Sequence, residues 1–335
     1  MFNLELLHTL IKEQWQIDIE STKEIRNSEK VMLEVTTPND ITYLLKGEKA
    51  DAVNVENIIQ YATLLASILP VATYKKTISD TYCIALNQYV FTLEEKLSGS
   101  EVNILTDNII YEIGKNLGKL HQFSLNNHIR LHCSTSWAMF GGNATDKIGD
   151  YDENELSFLN FKQAFQHGPS FHEIETLYNE HRSKLHTLWS QLPTAATQGD
   201  FCHYNLLFHD EELIGLCDFN LAGDEVLINE CVAVGIYLCW HVDYDGTFTA
   251  SERFTQFIES YQSVCPWTKL EYDAFPSLFA IIRAFRFDRV EDGIADTACH
   301  ETFPKRNLHI LQNGKASIRI ENFDSLDIKI SNYIK

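Results

Sequence analysis

Hydrophobic residues follow alternating helical and strand patterns over the first hundred residues. Four leucine and isoleucine positions at helical spacing predict a helix over residues 2–13. The runs KVMLEVTT and DITYLLKG, separated by a Pro-Asn-Asp turn signal, predict an antiparallel strand pair. A second helix is predicted over residues 54–70, where Pro70 ends it, and the runs YKKTISD and YCIALNQYVFTLEEKL predict further strands. These patterns indicate a small α+β unit of mostly antiparallel sheet.

Longer helical patterns take over from about Ser98. The run DNIIYEIGKNLGKLHQF keeps its apolar residues on one face, and only residues 199–219 resemble sheet in this half. Further helices are predicted at 171–192, 229–242, 251–263 and 274–292. The tail, residues 303–335, fits a hairpin with an Asn-Gly turn or a helix stopped by glycine. We therefore expect two lobes, residues 1–97 and residues 98–335.

Composition and charge exclude several classes of protein. The chain has 335 residues, of which 44% are hydrophobic, enough for a sizeable core. Its formal net charge of −20 disfavours nucleic acid and anionic membranes as partners, and is compatible with a cationic substrate or simply with an acidic solvated surface. We see no signal peptide and no membrane span. The eight scattered cysteines, none in a CxxC pair, indicate reduced thiols in the cytoplasm.

Two polar residues, Asn205 and Asp218, stand at the ends of one apolar hairpin. The runs NLLF and LIGLCDF flank a polar turn, and a centre between Glu211 and Glu212 places Asn205 directly opposite Asp218. Directly opposed residues have Cβ atoms about 4.5–5.5 Å apart on one face. An amide oxygen and a carboxylate at one spot suit Mg²⁺. The alternative is a hairpin whose two polar ends are satisfied locally.

A third polar residue, Asp200, lies five residues before Asn205. Asp200 would either give the metal another carboxylate ligand or accept a hydrogen bond from a substrate hydroxyl. The combination of Asp200, Asn205 and Asp218 resembles the catalytic loop and metal-binding segment of kinase-like folds. The string QGDFCHYNLLF is similar to the HGD-x-x-x-x-N signature of the aminoglycoside phosphotransferase and choline kinase family. The resemblance spans about residues 20–295, and its specific motifs lie in 198–219.

This resemblance implies a bilobal protein-kinase-like fold of the α+β class. A small N-terminal lobe with an antiparallel sheet and a helix would bind the nucleotide, and a larger, mostly helical C-terminal lobe would carry the substrate pocket. Lys46, at the end of an apolar strand, would contact the phosphates of ATP or GTP, and Glu56 on the next helix would pair with it. The nucleotide-covering turn would lie at Ser28, although this turn lacks glycine. Backbone groups from Glu95 to Leu97 would bind adenine.

The same resemblance implies roles for the three polar residues of the hairpin. Asn205 and Asp218 would hold Mg²⁺, and Asp200 would orient the acceptor hydroxyl and take its proton. Gln198 stands where the family has a histidine, so the chain lacks a chargeable group at that position.

Two local patterns compete for recognition of the acceptor. Asp243 and Asp245, with other acidic residues nearby in sequence, suit an amino-sugar or a choline-like cation. Arg283 and Arg286, three apart on one predicted helix, suit the carboxylate of a homoserine-like acceptor. Both patterns also fit solvated helix faces.

We predict an ATP- or GTP-dependent, Mg²⁺-dependent kinase that phosphorylates a hydroxyl of a small, cationic molecule, as a monomer or homodimer. The alternatives are a homoserine-kinase-like enzyme and a catalytically silent nucleotide-binding protein. The glycine-free turn and Gln198 favour the silent alternative, whereas the set of Lys46, Asp200, Asn205 and Asp218 argues against it.

Overall fold

The computed structural model describes residues 2–133, 135, 138–140 and 153–313. The strands are β1 (Ser21–Asn27), β2 (Val31–Thr36), β3 (Thr42–Glu48), β4 (Cys83–Leu86), β5 (Tyr89–Glu95), β6 (Ile104–Leu105), β7 (Thr194–Thr197), β8 (Leu206–His209), β9 (Glu212–Leu216), β10 (Gly223–Val226) and β11 (Asp243–Tyr244). The helices are α1 (Leu4–Trp15), α2 (Ala52–Leu65), α3 (Asp107–Asn126), α4 (Glu153–Phe165), α5 (Phe171–Trp189), α6 (Leu227–His241), α7 (Ala250–Gln262), α8 (Lys269–Phe285), α9 (Phe287–Ala295) and α10 (Phe303–Asn313). Within these ranges no helix is both long and apolar enough to cross a membrane.

The amino-terminal sheet is antiparallel with the strand order β1-β2-β3-β5-β4. Side chains alternate between buried and half-buried along β2 and β3, as expected for strands covered on one face. The buried face, which includes Leu33, Val35 and Leu45, packs against Leu7 and Ile11 of α1. The opposite face of β3 carries Lys46.

The contacts of the chain define two compact units. The first contains residues 1–102, 123–135 and 195–224, and the second contains 103–122, 136–194 and 225–335. The hairpin that carries the candidate catalytic residues therefore belongs to the same unit as the amino-terminal sheet. The predicted division at residues 97 and 98 stays a prediction.

A tyrosine of α2 links three separate segments of the first unit. The buried Tyr61 hydroxyl lies 2.9 Å from the Ser124 hydroxyl and donates to the Ala196 carbonyl at 3.0 Å. Its ring also packs edge-on against Phe219, which follows Asp218. Helix α2 is thus attached to both ends of the segment from Ala196 to Phe219.

The second unit is mostly helical and has a buried polar network. His121 Nε2 lies 2.6 Å from a Glu230 carboxylate oxygen, and its Nδ1 lies 2.8 Å from the Tyr261 hydroxyl. All three side chains are buried, so the network satisfies polar groups that would otherwise be costly inside an apolar helix bundle.

Several sequence predictions need correction. The run YKKTISD is not a strand. Only Tyr74 forms an isolated β-bridge, to Glu94, and a turn from Thr77 to Thr81 comes after this bridge. Helix α2 ends at Leu65, five residues before Pro70. The helix predicted over 274–292 is two helices, because Arg286 adopts an extended backbone conformation between α8 and α9.

The other differences concern elements that were left open or were not predicted. Strand β1 and helix α4 were not predicted. The prediction that only residues 199–219 of the second half form sheet is wrong, because the short strands β6, β7, β10 and β11 lie outside that stretch. Of the two interpretations of the tail, the helix is found over Phe303–Asn313, and residues 314–335 lie outside the described ranges. All eight cysteines lie within the described ranges as free thiols, and five of them are buried.

We expect Tyr61→Phe to lower the free energy of unfolding by about 1–3 kcal/mol, because it leaves the Ala196 carbonyl and the Ser124 hydroxyl without this buried partner. Ser124→Ala removes only one of the two hydrogen bonds and should cost less. Urea denaturation of the variants measures both effects. Equal stability of Tyr61→Phe and the wild type would contradict the proposed link.

Candidate active site

The hairpin β8–β9 turns at Asp210 and Glu211, both with positive φ, as a tight two-residue hairpin turn requires. A register shift follows between Leu207 and Phe208. As a result Asn205 lies opposite Cys217, whose backbone N–H donates to the Asn205 carbonyl at 3.0 Å. The predicted pairing of Asn205 with Asp218 is therefore wrong by one residue.

Asp218 is the first residue beyond β9 and has a φ of 56°, in the left-handed region. A non-glycine residue in this conformation needs support from its surroundings. Gln198 supplies this support: its side-chain nitrogen donates to the carbonyls of Asp218 at 2.5 Å and Cys217 at 3.3 Å. Its side-chain oxygen accepts from the Asp200 N–H at 2.8 Å. One buried amide thus connects the Asp200 turn to Asp218.

Gly199 makes the Asp200 turn possible. Its φ is 84°, and a Cβ there would lie 2.0 Å from the Leu221 carbonyl oxygen. Only glycine fits both the backbone conformation and the space.

Asp200 and Asn205 are in direct contact. The Asn205 side-chain nitrogen donates to the Asp200 carboxylate at 3.0 Å and to its carbonyl at 2.9 Å. Two thiols border Asn205: Cys202 accepts from its side chain at 3.4 Å, and Cys217 donates to its carbonyl at 3.3 Å. Because the amide nitrogen is held by Asp200, the amide oxygen is directed away from it.

The pKa of Asp200 is raised, chiefly by burial and also by repulsion from Asp218. Hydrogen bonds from Cys202, Asn205 and Tyr204 oppose the rise. A half-buried carboxylate with a raised pKa is a better proton acceptor than a solvated one, as a general base requires.

The half-buried Lys46 forms an ion pair with the buried Glu94 of β5, with 2.7 Å between Nζ and Oε1. Burial alone would lower the pKa of Lys46, but attraction to Glu94 and then to Asp218 outweighs it, and the pKa is raised. Lys46 therefore stays positively charged, and its charge is attracted to the Asp218 carboxylate.

The predicted pairing of Lys46 with Glu56 is not the one that the structure contains. The Glu56 carboxylate accepts from the Tyr82 N–H at 2.8 Å and from the Gln60 side chain at 3.3 Å. Glu56 lies in the first turns of α2, and its contact with Tyr82 connects this helix to the segment before β4.

The other predicted nucleotide-binding positions lie at strand ends of the same unit. Ser28 is in the exposed turn between β1 and β2, where its N–H donates to the Lys30 carbonyl. Glu95 ends β5, donates its N–H to the Thr73 carbonyl and pairs with Lys75 at 3.3 Å. Leu97 is half-buried just beyond. Their roles towards a nucleotide stay predictions.

The chemistry of the donors fits Mg²⁺. Asn205 offers an amide oxygen and Asp218 a carboxylate, and Mg²⁺ takes few protein ligands together with water and phosphate oxygens. In the described residues, no group of three or more His, Cys, Asp or Glu could hold a metal by itself. A divalent ion held by Asn205 and Asp218 would complete its ligands with water and phosphate oxygens.

The predicted acceptor-binding residues all lie in the second unit. Asp243 and Asp245 are exposed at β11, where the Asp245 N–H donates to the Leu105 carbonyl. Arg283 and Arg286 are partly buried and stack on Trp240 and Tyr237, respectively.

Two residues of the site were missed by the analysis of the sequence. Glu94 had a recognisable signal, since an acidic residue on an apolar strand needs a partner. Gln198 was noted only as a departure from the family pattern, and its bridging role depends on a fold in which residues nineteen or more apart meet.

Comparisons with known proteins identify the family and the fold. A model of the phosphotransferase enzyme family matches residues 26–251. The structure is similar to that of the amicoumacin kinase hAmiN in complex with AMP-PNP, Ca²⁺ and Ami, with 13% identity, a TM-score of 0.62, and coverage of 95% of this chain and 96% of that one. It is also similar to spectinomycin phosphotransferase in complex with ADP and spectinomycin, with 12% identity, a TM-score of 0.53, and coverage of 92% and 97%. The predicted fold class is confirmed.

A third solved structure and one curated protein complete the comparison. An aminoglycoside phosphotransferase from Alicyclobacillus acidocaldarius has 12% identity, a TM-score of 0.56, and coverage of 88% of this chain and 92% of that one. A homoserine kinase from Rhizobium johnstonii is 33% identical over 114 residues, which is 32% of this chain. The match spans about a third of that protein's length, 34%.

We expect Glu94→Gln to lower kcat/KM for ATP about tenfold or more, because a neutral amide no longer holds the charged Lys46 in place. Glu56→Gln is the comparison, and its effect should be smaller. Steady-state kinetics with ATP as the varied substrate measure both. The reverse order would restore Glu56 as the partner of Lys46.

We expect Tyr204→Phe to move the acidic limb of the kcat/KM profile to higher pH. The Tyr204 hydroxyl donates to the Asp200 carboxylate at 3.4 Å and so favours its charged form; without it the pKa of Asp200 rises further. Tyr111→Phe, at an exposed position on α3, is the control. A shift in the acidic direction would contradict this assignment.

Proposed function

We propose that this chain, which belongs to the phosphotransferase enzyme family, transfers the γ-phosphoryl group of ATP to a hydroxyl group of a small molecule. One observation carries the proposal. Asp200, Asn205 and Asp218 come together at the open end of the β8–β9 hairpin, in the same compact unit as the half-buried Lys46.

Asp200 is the group that would receive the proton of the acceptor hydroxyl. Its carboxylate is fixed by Asn205 on one side and by the Gln198 contact to its backbone on the other. Phosphoryl transfer depends mainly on the positions of the reacting groups and on neutralisation of the phosphate charge. Asp200 therefore mainly has to be held in place to accept the proton.

Asn205 and Asp218 would hold Mg²⁺, which when bound neutralises charge on the phosphates. Lys46 would contribute a further fixed positive charge beside Asp218. Its pairing with Glu94 restricts the flexible side chain, so that the ammonium group is already in place when the nucleotide arrives.

Similar proteins support a nucleotide and a divalent ion. The amicoumacin kinase was solved with AMP-PNP and Ca²⁺, and the spectinomycin phosphotransferase with ADP. We therefore propose ATP as the donor; GTP is the alternative donor.

Two classes of acceptor are candidates. The acidic chain and the exposed Asp243 and Asp245 favour a cationic acceptor such as an aminoglycoside or a choline-like alcohol. The partial match to a homoserine kinase, together with Arg283 and Arg286, favours a hydroxyl compound that carries a carboxylate.

We expect Asp200→Ala to lower kcat at least about 10²-fold and to leave ATP binding intact, because Asp200 acts on the acceptor hydroxyl. Phosphorylation of a panel of aminoglycosides, choline, homoserine and sugars measures turnover, and calorimetry measures ATP affinity. Glu212→Gln, at an exposed position of the same hairpin, is the control.

Unchanged turnover in Asp200→Ala would overturn the catalytic assignment. Magnesium-dependent binding of ATP without turnover of any acceptor would favour the silent nucleotide-binding alternative.

A further inference from the structure

Three strands of the amino-terminal sheet place two positively charged residues in one row. Arg26 of β1 lies opposite Met32 of β2, and Met32 lies opposite Lys46 of β3. Directly opposed residues of antiparallel strands point to the same face of the sheet. Met32 alternates with Val31 and Leu33, which pack towards α1, so the row lies on the other face. Neighbouring strands lie about 4.8 Å apart, so the long side chains of Arg26 and Lys46 can reach one polyphosphate.

Lys30 adds a third positive charge to this face. It stands in the turn between β1 and β2, and its Nζ lies 3.1 Å from a Glu48 carboxylate oxygen. Glu48 comes two residues after Lys46 on β3, and residues two apart on a strand share a face. The side chains of Lys30 and Glu48 are 49% and 32% exposed. An ion pair this exposed contributes little to stability, so Lys30 can exchange the carboxylate for a phosphate at small cost.

The backbone of this turn is poorly suited to binding a phosphate. The Ser28 N–H is already used, because it donates to the Lys30 carbonyl at 3.1 Å. A backbone nest that binds an anion typically combines right- and left-handed residues, and none of residues 27–30 has a positive φ. None of these four residues is a glycine. The turn is therefore better equipped to bind a phosphate through side chains than through its backbone.

Asn27 fixes the turn to the rest of the sheet. Its side-chain oxygen accepts from the Phe2 N–H at 3.0 Å, and its side-chain nitrogen donates to the Phe2 carbonyl at 2.9 Å. The Phe2 ring packs edge-on against Phe91 of β5, with 5.2 Å between the ring centroids. Arg26 Nε donates to the Ser28 hydroxyl at 3.4 Å, which places the guanidinium beside the turn. The turn and the guanidinium are thus already positioned before a nucleotide binds.

We propose that Arg26 and Lys30 bind the phosphate groups of the nucleotide through their side chains, on the same face of the sheet as Lys46. This inference rests on the proposed function and identifies the groups that would replace a glycine-rich backbone around the phosphates. Guanidinium and ammonium groups both form charge-assisted hydrogen bonds with phosphate oxygens. Two further cations also offset the repulsion between a polyphosphate and a chain whose net charge is −20.

The test measures the binding of nucleotides that differ only in their number of phosphate groups. AMP, ADP and ATP are compared by calorimetry in the presence of Mg²⁺, with the guanine series in their place if the wild type prefers it. The variants are Arg26→Gln and Lys30→Gln, and both positions are exposed, so the fold should tolerate the changes. This readout needs no acceptor and no turnover.

Two controls separate phosphate binding from other effects. Lys76→Gln removes the same charge from the same unit, and Lys76 is likewise paired with one exposed carboxylate, Asp80, at 2.8 Å. Lys76 lies before β4, which forms the opposite edge of the sheet from β1. Glu48→Gln breaks the ion pair with Lys30 but keeps the cation. If that pair only stabilised the turn, Glu48→Gln and Lys30→Gln would weaken nucleotide binding equally.

We expect Arg26→Gln and Lys30→Gln each to weaken ATP binding about three- to tenfold and to weaken AMP binding less. Lys76→Gln should bind ATP as the wild type does. Glu48→Gln should bind ATP more tightly, because Lys30 no longer has a competing carboxylate. Unchanged ATP affinity in Arg26→Gln or in Lys30→Gln would overturn the inference. An equal loss for AMP and ATP, or a Glu48→Gln variant that loses affinity as Lys30→Gln does, would also overturn it.

Failure of this inference is distinguishable from failure of the proposed function. Suppose that Arg26→Gln and Lys30→Gln bind ATP like the wild type, while the wild type phosphorylates an acceptor and Asp200→Ala does not. The kinase assignment then stands, and only the phosphate-binding role of the two side chains is lost. A wild type that binds none of the nucleotides would overturn both.

Discussion

The Gln198 side chain is the contact on which the arrangement of the candidate site depends. It lies fully buried and joins the Asp200 N–H to the carbonyls of Cys217 and Asp218. These backbone groups belong to half-buried residues, so each hydrogen bond to the buried Gln198 amide replaces a partner that water could supply only in part. An amide can donate and accept at once without titrating, so the distance between the two aspartates does not depend on the protonation of a histidine.

An ion pair fixes the cationic side of the site. Lys46 and Glu94 lie on neighbouring strands of one sheet, so the rigid hydrogen-bonded backbone of β3 and β5 sets their separation. In the arrangement expected from the resemblance, the carboxylate would instead come from a helix, whose position relative to the sheet can vary. The charge on Lys46 is consequently supported by a residue on a directly hydrogen-bonded neighbouring strand, and Glu56 instead attaches α2 to the segment before β4.

The sequence predicted the elements whose hydrophobic pattern is strong. Strands β2, β3 and β5 and helices α3 and α5–α7 follow clear periods, and the motif around Asp200 has a fixed spacing. Strand β1 was missed because its residues are mostly exposed and polar, as suits the edge of a sheet. The hairpin register differs by one residue from the predicted one because of the position of the turn and of a bulge, and neither leaves a mark in the amino-acid pattern. Glu94 had a local signal, as an acidic residue on an apolar strand, but its pairing with Lys46 depended on β3 and β5 lying side by side.

The two thiols that border Asn205 have a chemical consequence. Burial raises the pKa of Cys217 to about 11 and raises that of Cys202 still more strongly, with the charge of Asp200 adding to the rise at Cys202. Peroxides and alkylating reagents attack the thiolate, which both cysteines scarcely populate at neutral pH. The sulfur atoms therefore serve as small packing groups of low reactivity beside Asn205, where an exposed thiol of ordinary pKa would be open to oxidation.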